Sequence, residues 1–275
     1  MMLRTMTKAD LGHALDWAAK EGWNPGLEDL DPFYAADPEG FFCAELGGNM
    51  AAAISVVNHT DRLAFLGLYL CAPAYRGQGI AHALWLHAMK HAGTRTIGLD
   101  GVPAQQENYR KSGFVLAGQT KRFAGRLSHG PGKGVQSAAA DEHAALIAME
   151  AKACGYAKPR FTAAWLEPAQ TRFTLVHREA GKPNGFLTLR GCHVGWKIGP
   201  LCAPDLPVAQ ALLEAAAAHT GEDQVMIDLP AESAALAAHC LAMGMQPVFH
   251  TARMYRGPAP LAGRGQNAVG TLELG

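Results

Sequence analysis

Residues 63–81 read Leu63-Ala64-Phe65-Leu66-Gly67-Leu68-Tyr69-Leu70-Cys71-Ala72-Pro73-Ala74-Tyr75-Arg76-Gly77-Gln78-Gly79-Ile80-Ala81. The first eight are apolar or glycine, as in an apolar strand, and Gly79 opens an alanine-rich stretch with helical spacing that runs to His91. Between them, Gly77 and Gly79 remove side chains where a loop turns into a helix. Successive N–H groups and the positive end of the helix can then converge on a phosphate, and Arg76 adds a charged fork that suits phosphate oxygens. The same residues also describe a plain glycine turn with a solvated arginine. A P-loop is excluded, because Gly79-Ile80-Ala81 supplies neither its lysine nor its hydroxyl. A dinucleotide fingerprint fits less well: Asp100 lies where a ribose-binding acid belongs, but His82 occupies the place of the third glycine.

Outward from this motif, the patterning predicts a strand at 3–6, a helix at 8–21 capped by Thr7, a turn at 23–26 and a helix at 27–36. Strands at 41–46, 50–59 and 63–70 form an antiparallel meander, and 63–70 continues through the helix 79–91 into a strand at 96–99, a βαβ-like crossover. A short helix at 105–112 and a strand pair or one long bent strand at 114–123 complete the unit. The second half repeats the first. Cys71-Ala72-Pro73 recurs as Cys202-Ala203-Pro204, and Gly113, Thr120 and Arg122 recur as Gly244, Thr251 and Arg253 at the same offset, with Leu99-Asp100 echoed by Ile227-Asp228. Predicted strands at 173–178, 185–190, 192–198, 224–229 and 247–255 and helices at 205–219 and 232–243 follow the same order. The fold class is therefore α/β, an α+β mixed sheet in tandem. The expected domains are 1–126 and 142–257, joined by a glycine- and serine-rich linker at 127–141 and followed by a tail at 258–275, mobile apart from a short strand at 271–274.

With 24 Lys plus Arg against 24 Asp plus Glu, the net charge is zero, so no global field favours a nucleic acid or an anionic membrane. Charged residues are only 17%, while glycine, at 31 of 275, exceeds the usual share. The six cysteines are scattered without a C-x-x-C pair and read as free thiols, and no stretch sustains the apolar length of a membrane span. A cytoplasmic protein is expected. His87 and His91 stand four apart on one helix, a spacing that can hold a metal. With no matching Cys or carboxylate they read as solvent-facing, and no metal is expected.

Arg76, Gly79 and Ala81 in an Arg-x-x-Gly-x-Ala pattern, followed by Tyr109-x-x-x-Gly113-Phe114, resemble the GNAT superfamily of acyl-CoA-dependent N-acyltransferases. The stretches 21–26, 65–69, 98–102 and 108–114 resemble a bacterial subgroup with a second, degenerate GNAT-like domain. The resemblance implies two GNAT-like folds, each a twisted, mostly antiparallel sheet with a splayed parallel pair flanked by helices. It implies an acetyl-CoA-dependent N-acetyltransferase that acts on a primary amine of a small molecule by direct transfer in a ternary complex, as a monomer or homodimer. An acyl-CoA-binding sensor or scaffold is the alternative, and a nicotinamide-dependent oxidoreductase the third.

In that frame the pantetheine arm of acetyl-CoA would pair with backbone at Leu68, Tyr69 and Leu70, and the N–H near Leu70 would donate to the developing oxyanion. The pyrophosphate would lie over Arg76, Gly77, Gln78, Gly79, Ile80 and Ala81. Tyr109 would protonate the departing thiolate, or else serve only as a core ring. Asp100 is the candidate base, or equally a capping carboxylate. The family's asparagine six residues before the tyrosine is Pro103 here, which leaves Asn108 as a substitute at the CoA arm. Trp23 and Asn24 are candidates for the acceptor pocket. In the second half, Pro207, Val208 and Gln210 replace Arg76, Gly77 and Gly79, and Cys240 stands for Tyr109. That half is expected to wall off the acceptor pocket, through 191–204 and Trp196.

Overall fold

A computed structural model of the protein describes residues 1–221, 223–261 and 263–275. Glu222 and Ala262, in the second repeat and the predicted tail, lie outside the described residues. The first repeat supplies β1 (Met2–Thr5), α1 (Lys8–Lys20), α2 (Leu30–Ala36), β2 (Phe41–Leu46), β3 (Asn49–Asn58), β4 (Leu63–Cys71), α3 (Ile80–Ala88), β5 (Thr96–Gly101), α4 (Gln106–Lys111) and β6 (Val115–Gly125). The second supplies β7 (Val135–Ser137), α5 (His143–Cys154), α6 (Pro159–Leu166), β8 (Arg172–Glu179), β9 (Lys182–Gly191), β10 (Trp196–Ala203), α7 (Leu206–Thr220), β11 (Val225–Pro230), α8 (Ala234–Ala242), β12 (Gln246–Arg256) and β13 (Gln266–Ala268).

Alternation along the strands decides which helix covers which face. In β2, Phe42 and Ala44 pack with α3 residues Leu84 and Ala88, while Phe41 and Cys43 pack with Leu11 and Leu15 of α1. Helix α1 starts where Thr7 and Asp10 form a reciprocal capping box. Helix α2 starts at Leu30 rather than at 27, because the preceding residues are committed elsewhere. The Gly26 N–H donates to Asp29 Oδ2 at 2.8 Å and the Leu27 N–H to the Gly191 carbonyl at 3.0 Å. Helix α6 lies against α2, with Trp165 stacked on Phe33 and Phe161 tilted against both rings.

All thirteen strands join one mixed sheet in the order β1-β2-β3-β4-β5-β12-β6-β11-β10-β9-β8-β7, with β13 on β10. The two sequence repeats are not the two halves of this sheet. Each gives its long last strand to the other: β12 pairs with β5, and β6 pairs with β11, all antiparallel. The registers place Arg253 opposite Asp100 and Arg122 opposite Asp228. Both arginines make two hydrogen bonds to their aspartate, at 2.7 and 2.9 Å in the first pair and 2.8 Å twice in the second. The residues that carry the sequence repeat are thus the ones that bind the exchanged strands.

Three further expectations change. The predicted linker contains β7, which adds to β8. The strand expected at 192–198 runs from Trp196 to Ala203, because Cys192 N–H bonds the Gly195 carbonyl in a tight turn with Gly195 at positive φ. The end of the predicted tail is packed, with Leu274 fully buried in the α1–α6 cluster. It forms turns rather than a strand. Burial pushes the His59 imidazole down to about 3, so the ring is neutral and its Nε2–H donates to the Leu274 carbonyl at 2.7 Å. Lys158 Nζ donates to a Gly275 oxygen.

Candidate active site

The site begins with a bulge in β4. Ala53 of β3 faces Leu70 and Ser55 faces Gly67, so Leu68 and Tyr69 together oppose Ile54. Leu68 takes up the extra residue at φ +45°, an uncommon angle for a leucine, costing on the order of 1–3 kcal/mol. The bulge turns β4 away from β5: their parallel pairing runs from Leu63 opposite Thr96 to Leu66 opposite Leu99 and stops there. A cavity of about 790 Å³ occupies the gap, bounded by Gly67 to Cys71 on one side and by Leu99, Asp100 and Val102 on the other.

At one end of the cavity the loop after β4 climbs through a 3-10 turn at Pro73–Tyr75 into α3. Gly77 and Gly79 have φ of +77° and +76°, and a Cβ on either would meet nothing within 4 Å. Glycine is needed there for the backbone conformation, and the space in front of the loop is open. Gly79 caps α3 without a side-chain hydrogen bond, so no protein acceptor claims the first amides of this helix through a cap. The Arg76 side chain is turned onto the protein, donating to the Cys71 carbonyl at 3.0 Å and to Glu21 Oε1 at 2.5 Å. Gln78 likewise donates to the Ala74 carbonyl.

Tyr109, on α4, forms the wall opposite β4. Its ring stacks on Trp85 at 5.8 Å and meets Phe114 edge-on. Gly101 makes room for it, since a Cβ there would lie 2.9 Å from the ring. Burial pushes the phenol up to about 12, and its hydroxyl makes no hydrogen bond among the described residues. Tyr69, tilted against the same Trp85 at 5.3 Å, is raised to about 12 for the same reason.

The structure separates the other sequence candidates. Trp23 lines the cavity, but Asn24 is tied to the turn after β9, donating to the Val194 carbonyl and accepting from the Val194 N–H. Asn108 lies outside the cavity wall and donates to Gln105, which is the residue that lines it. Asp100 reaches the wall, yet both its oxygens are held by Arg253 and its side chain is wholly buried. Burial pushes its carboxyl up and Arg253 opposes that push. His91 does not face solvent: its Nε2 pairs with Asp37 at 2.8 Å, and both His87 and His91 lie edge-on to Phe42. Among the described residues no cluster of three or more His, Cys, Asp or Glu could hold a metal.

The second repeat does supply the far wall, but from elements other than those expected. Trp196 packs on Phe173 and donates to Asp223 away from the cavity. The wall is built instead from Met226 of β11, Val248, Phe249 and Thr251 of β12, Arg122 of the exchanged β6, and Leu272 and Glu273 of the closing segment. In this repeat the N-terminus of α7 is already taken, since Asp205 accepts the Val208 N–H at 3.1 Å. Phe249, Gln105 and Glu273 escaped the sequence reading; the apolar Leu272 and Leu274 flanking Glu273 were the available sign that the segment is buried.

Comparison with known proteins agrees with this geometry. Residues 9–114 match the family model described as the acetyltransferase (GNAT) family, and residues 146–269 match that of an acetyltransferase (GNAT) domain. A protein named holothin acyltransferase, from Pseudoalteromonas sp. (strain SANK 73390), is 35% identical over 265 residues, covering 94% of this chain and 90% of that one. A putative acetyltransferase from Pyrococcus horikoshii superposes with a TM-score of 0.82 at 19% identity, over 100% of this chain and 95% of its own. A tandem GNAT protein from the clavulanic acid biosynthesis pathway gives 0.65 at 15% identity, over 94% and 99%.

Proposed function

Because the chain belongs to the GNAT acyltransferases, a family that uses acyl-CoA, we propose that it transfers acetyl from acetyl-CoA to a primary amine of a small molecule, directly, in one ternary complex. The observation that carries this reading is the splayed β4–β5 pair, with the glycine loop at one end of its cavity and, at its wall, a tyrosine hydroxyl with no hydrogen-bond partner among the described residues. The pantetheine arm fits the gap beside Leu68, Tyr69 and Leu70. The pyrophosphate fits the open space before Gly77 and Gly79, held by loop and helix amides. Arg76 acts in this reading by fixing the loop to α1 through Glu21 rather than by gripping the phosphate. One acetyl-CoA per chain is expected, because Asp205 occupies the corresponding helix end of the second repeat. A small-molecule acceptor suits a cavity closed by both repeats, and the relative's name points the same way.

Tyr109 supplies the proton that the departing thiolate needs. With its phenol raised to about 12, it is protonated throughout the working range, and no alkaline loss of activity below about pH 11 should come from it. Tyr109→Phe is expected to lower kcat about 100-fold while the Kd for acetyl-CoA stays within about twofold. An unchanged kcat would remove Tyr109 from the chemistry. Calorimetry with acetyl-CoA, followed by thiol release across a panel of small amines, tests the function itself. Absence of binding refutes it, and binding without turnover of any amine indicates a sensor or scaffold.

A further inference from the structure

Three acidic side chains line the cavity, and two of them are spoken for. Glu21 receives Arg76, and Asp100 receives Arg253. The third, Glu273, is 8% exposed, and its carboxylate takes no hydrogen bond or ion pair among the described residues. It is also firmly placed. The Glu273 carbonyl sits so close to Gly67 that a Cβ there would collide with it, and the next residue, Leu274, is fully buried and held by His59. The segment therefore delivers a carboxylate to the point where β4 leaves β5. Carboxylates buried to this degree are ordinarily paired, and an unpaired one facing a cavity calls for a cation from the ligand.

We propose that Glu273 is the catalytic carboxylate of the acceptor subsite: it receives the substrate ammonium and takes its first proton. This rests on the transferase reading and names the base within it. The wall that holds Glu273 is mainly apolar, with Met226, Val248, Phe249 and Leu272 beside the polar Thr251 and the paired Arg122, so the acceptor is a primary amine on a largely apolar body. The other charges that act at this end of the cavity are Asp100 on β5, Arg122 on β6, Arg190 on β9 and Lys197 on β10. Each has its own partner, respectively Arg253, Asp228, Asp29 and the Trp23 carbonyl. In the step, a proton passes from the ammonium to Glu273. The freed nitrogen attacks the thioester carbon, the C–N bond forms and the C–S bond breaks. Tyr109 gives its proton to the sulfur and regains one from the new amide nitrogen, and the proton on Glu273 leaves to solvent.

The test compares the wild-type chain with Glu273→Gln and Glu273→Asp, using benzylamine and benzyl alcohol as probes. In equilibrium binding at pH 7 with CoA present, the wild type should prefer the ammonium over the alcohol at least about tenfold, and Glu273→Gln should lose that preference. In turnover, Glu273→Gln should lower kcat/KM about 100-fold at pH 7, with the deficit shrinking as the pH nears the amine's own pKa, and Glu273→Asp should recover part of it. Acetyl-CoA affinity should not change. No ammonium preference in the wild type, a preference retained in Glu273→Gln, or a turnover deficit independent of pH would each overturn the assignment. The binding comparison needs no thioester, so it decides on Glu273 even if acetyl-CoA fails to bind and the transferase reading falls.

Discussion

Replacing Arg253 with methionine is expected to cost about 3–5 kcal/mol of folding free energy, the penalty for stranding a buried carboxylate without its counter-ion. Asp100 has no solvent contact through its side chain, and Arg253 supplies both of its short hydrogen bonds. Arg253 also lies over the Phe65 ring and donates to the Tyr156 hydroxyl, so its loss loosens β4 and the stretch after α5 as well. Urea denaturation followed by tryptophan fluorescence should show the transition at markedly lower denaturant. The double variant Arg253→Met with Asp100→Leu should recover most of the loss, because an apolar pair of similar size removes the stranded charge. A change below about 1 kcal/mol in the single variant would mean that the pair does not hold the exchanged strand. Arg122→Met should shift stability in the same direction at the other crossing, by a smaller amount, since the Asp228 side chain is also buried but keeps 9% exposure where that of Asp100 keeps none. The two repeats should unfold together, because β12 sits between β5 and β6 and neither half of the sheet closes without the other's strand.

That exchange shows where sequence reading stops. The run from Leu63 to Ala81 carries its own message: an unbroken apolar strand, two glycines that must turn left-handed, and a helix start. The recurrence of Thr120 and Arg122 as Thr251 and Arg253 is equally local to read. Which strand each would pair with is not, because period-two alternation is the same whichever neighbour a strand finds. The Leu68 bulge left no trace for a similar reason: nothing in Leu66-Gly67-Leu68-Tyr69-Leu70 marks the second leucine as the residue with positive φ. The site divides along the same line. Gly77, Gly79 and Tyr109 are legible because each belongs to a short motif with one geometry. Asn24 looked available because its partner, Val194, is 170 residues away and meets it only on folding, whereas Asn108 is claimed by Gln105, one turn back, and which of that pair lines the cavity is set by the helix's packing. Glu273 fell in a stretch that reads as a short strand, because its seat is Gly67, some two hundred residues earlier in the chain, and alternation does not show that contact.

The second large effect should appear in the double variant Gly77→Ala with Gly79→Ala. Both glycines sit near φ +77°, where an alanine pays about 1–2 kcal/mol, and both face open space, so no clash adds to that cost. The loop is exposed and can escape the strain by turning these residues to negative φ. Doing so swings its amides away from the entrance of α3, and each amide lost to a phosphate oxygen is a charge-assisted hydrogen bond worth about 1.5–3 kcal/mol. Acetyl-CoA should therefore bind about 100- to 1,000-fold more weakly. The affinity for S-acetylpantetheine, which lacks the pyrophosphate, should stay within about threefold, because the β4–β5 gap is untouched. Calorimetry on both ligands separates the cases: an equal loss for the two would mean that the gap itself had collapsed, and no loss for either would mean that the phosphate rests elsewhere. Raised salt should narrow the difference between wild type and variant for acetyl-CoA alone, since the helix end and its amides act on the ligand through charge.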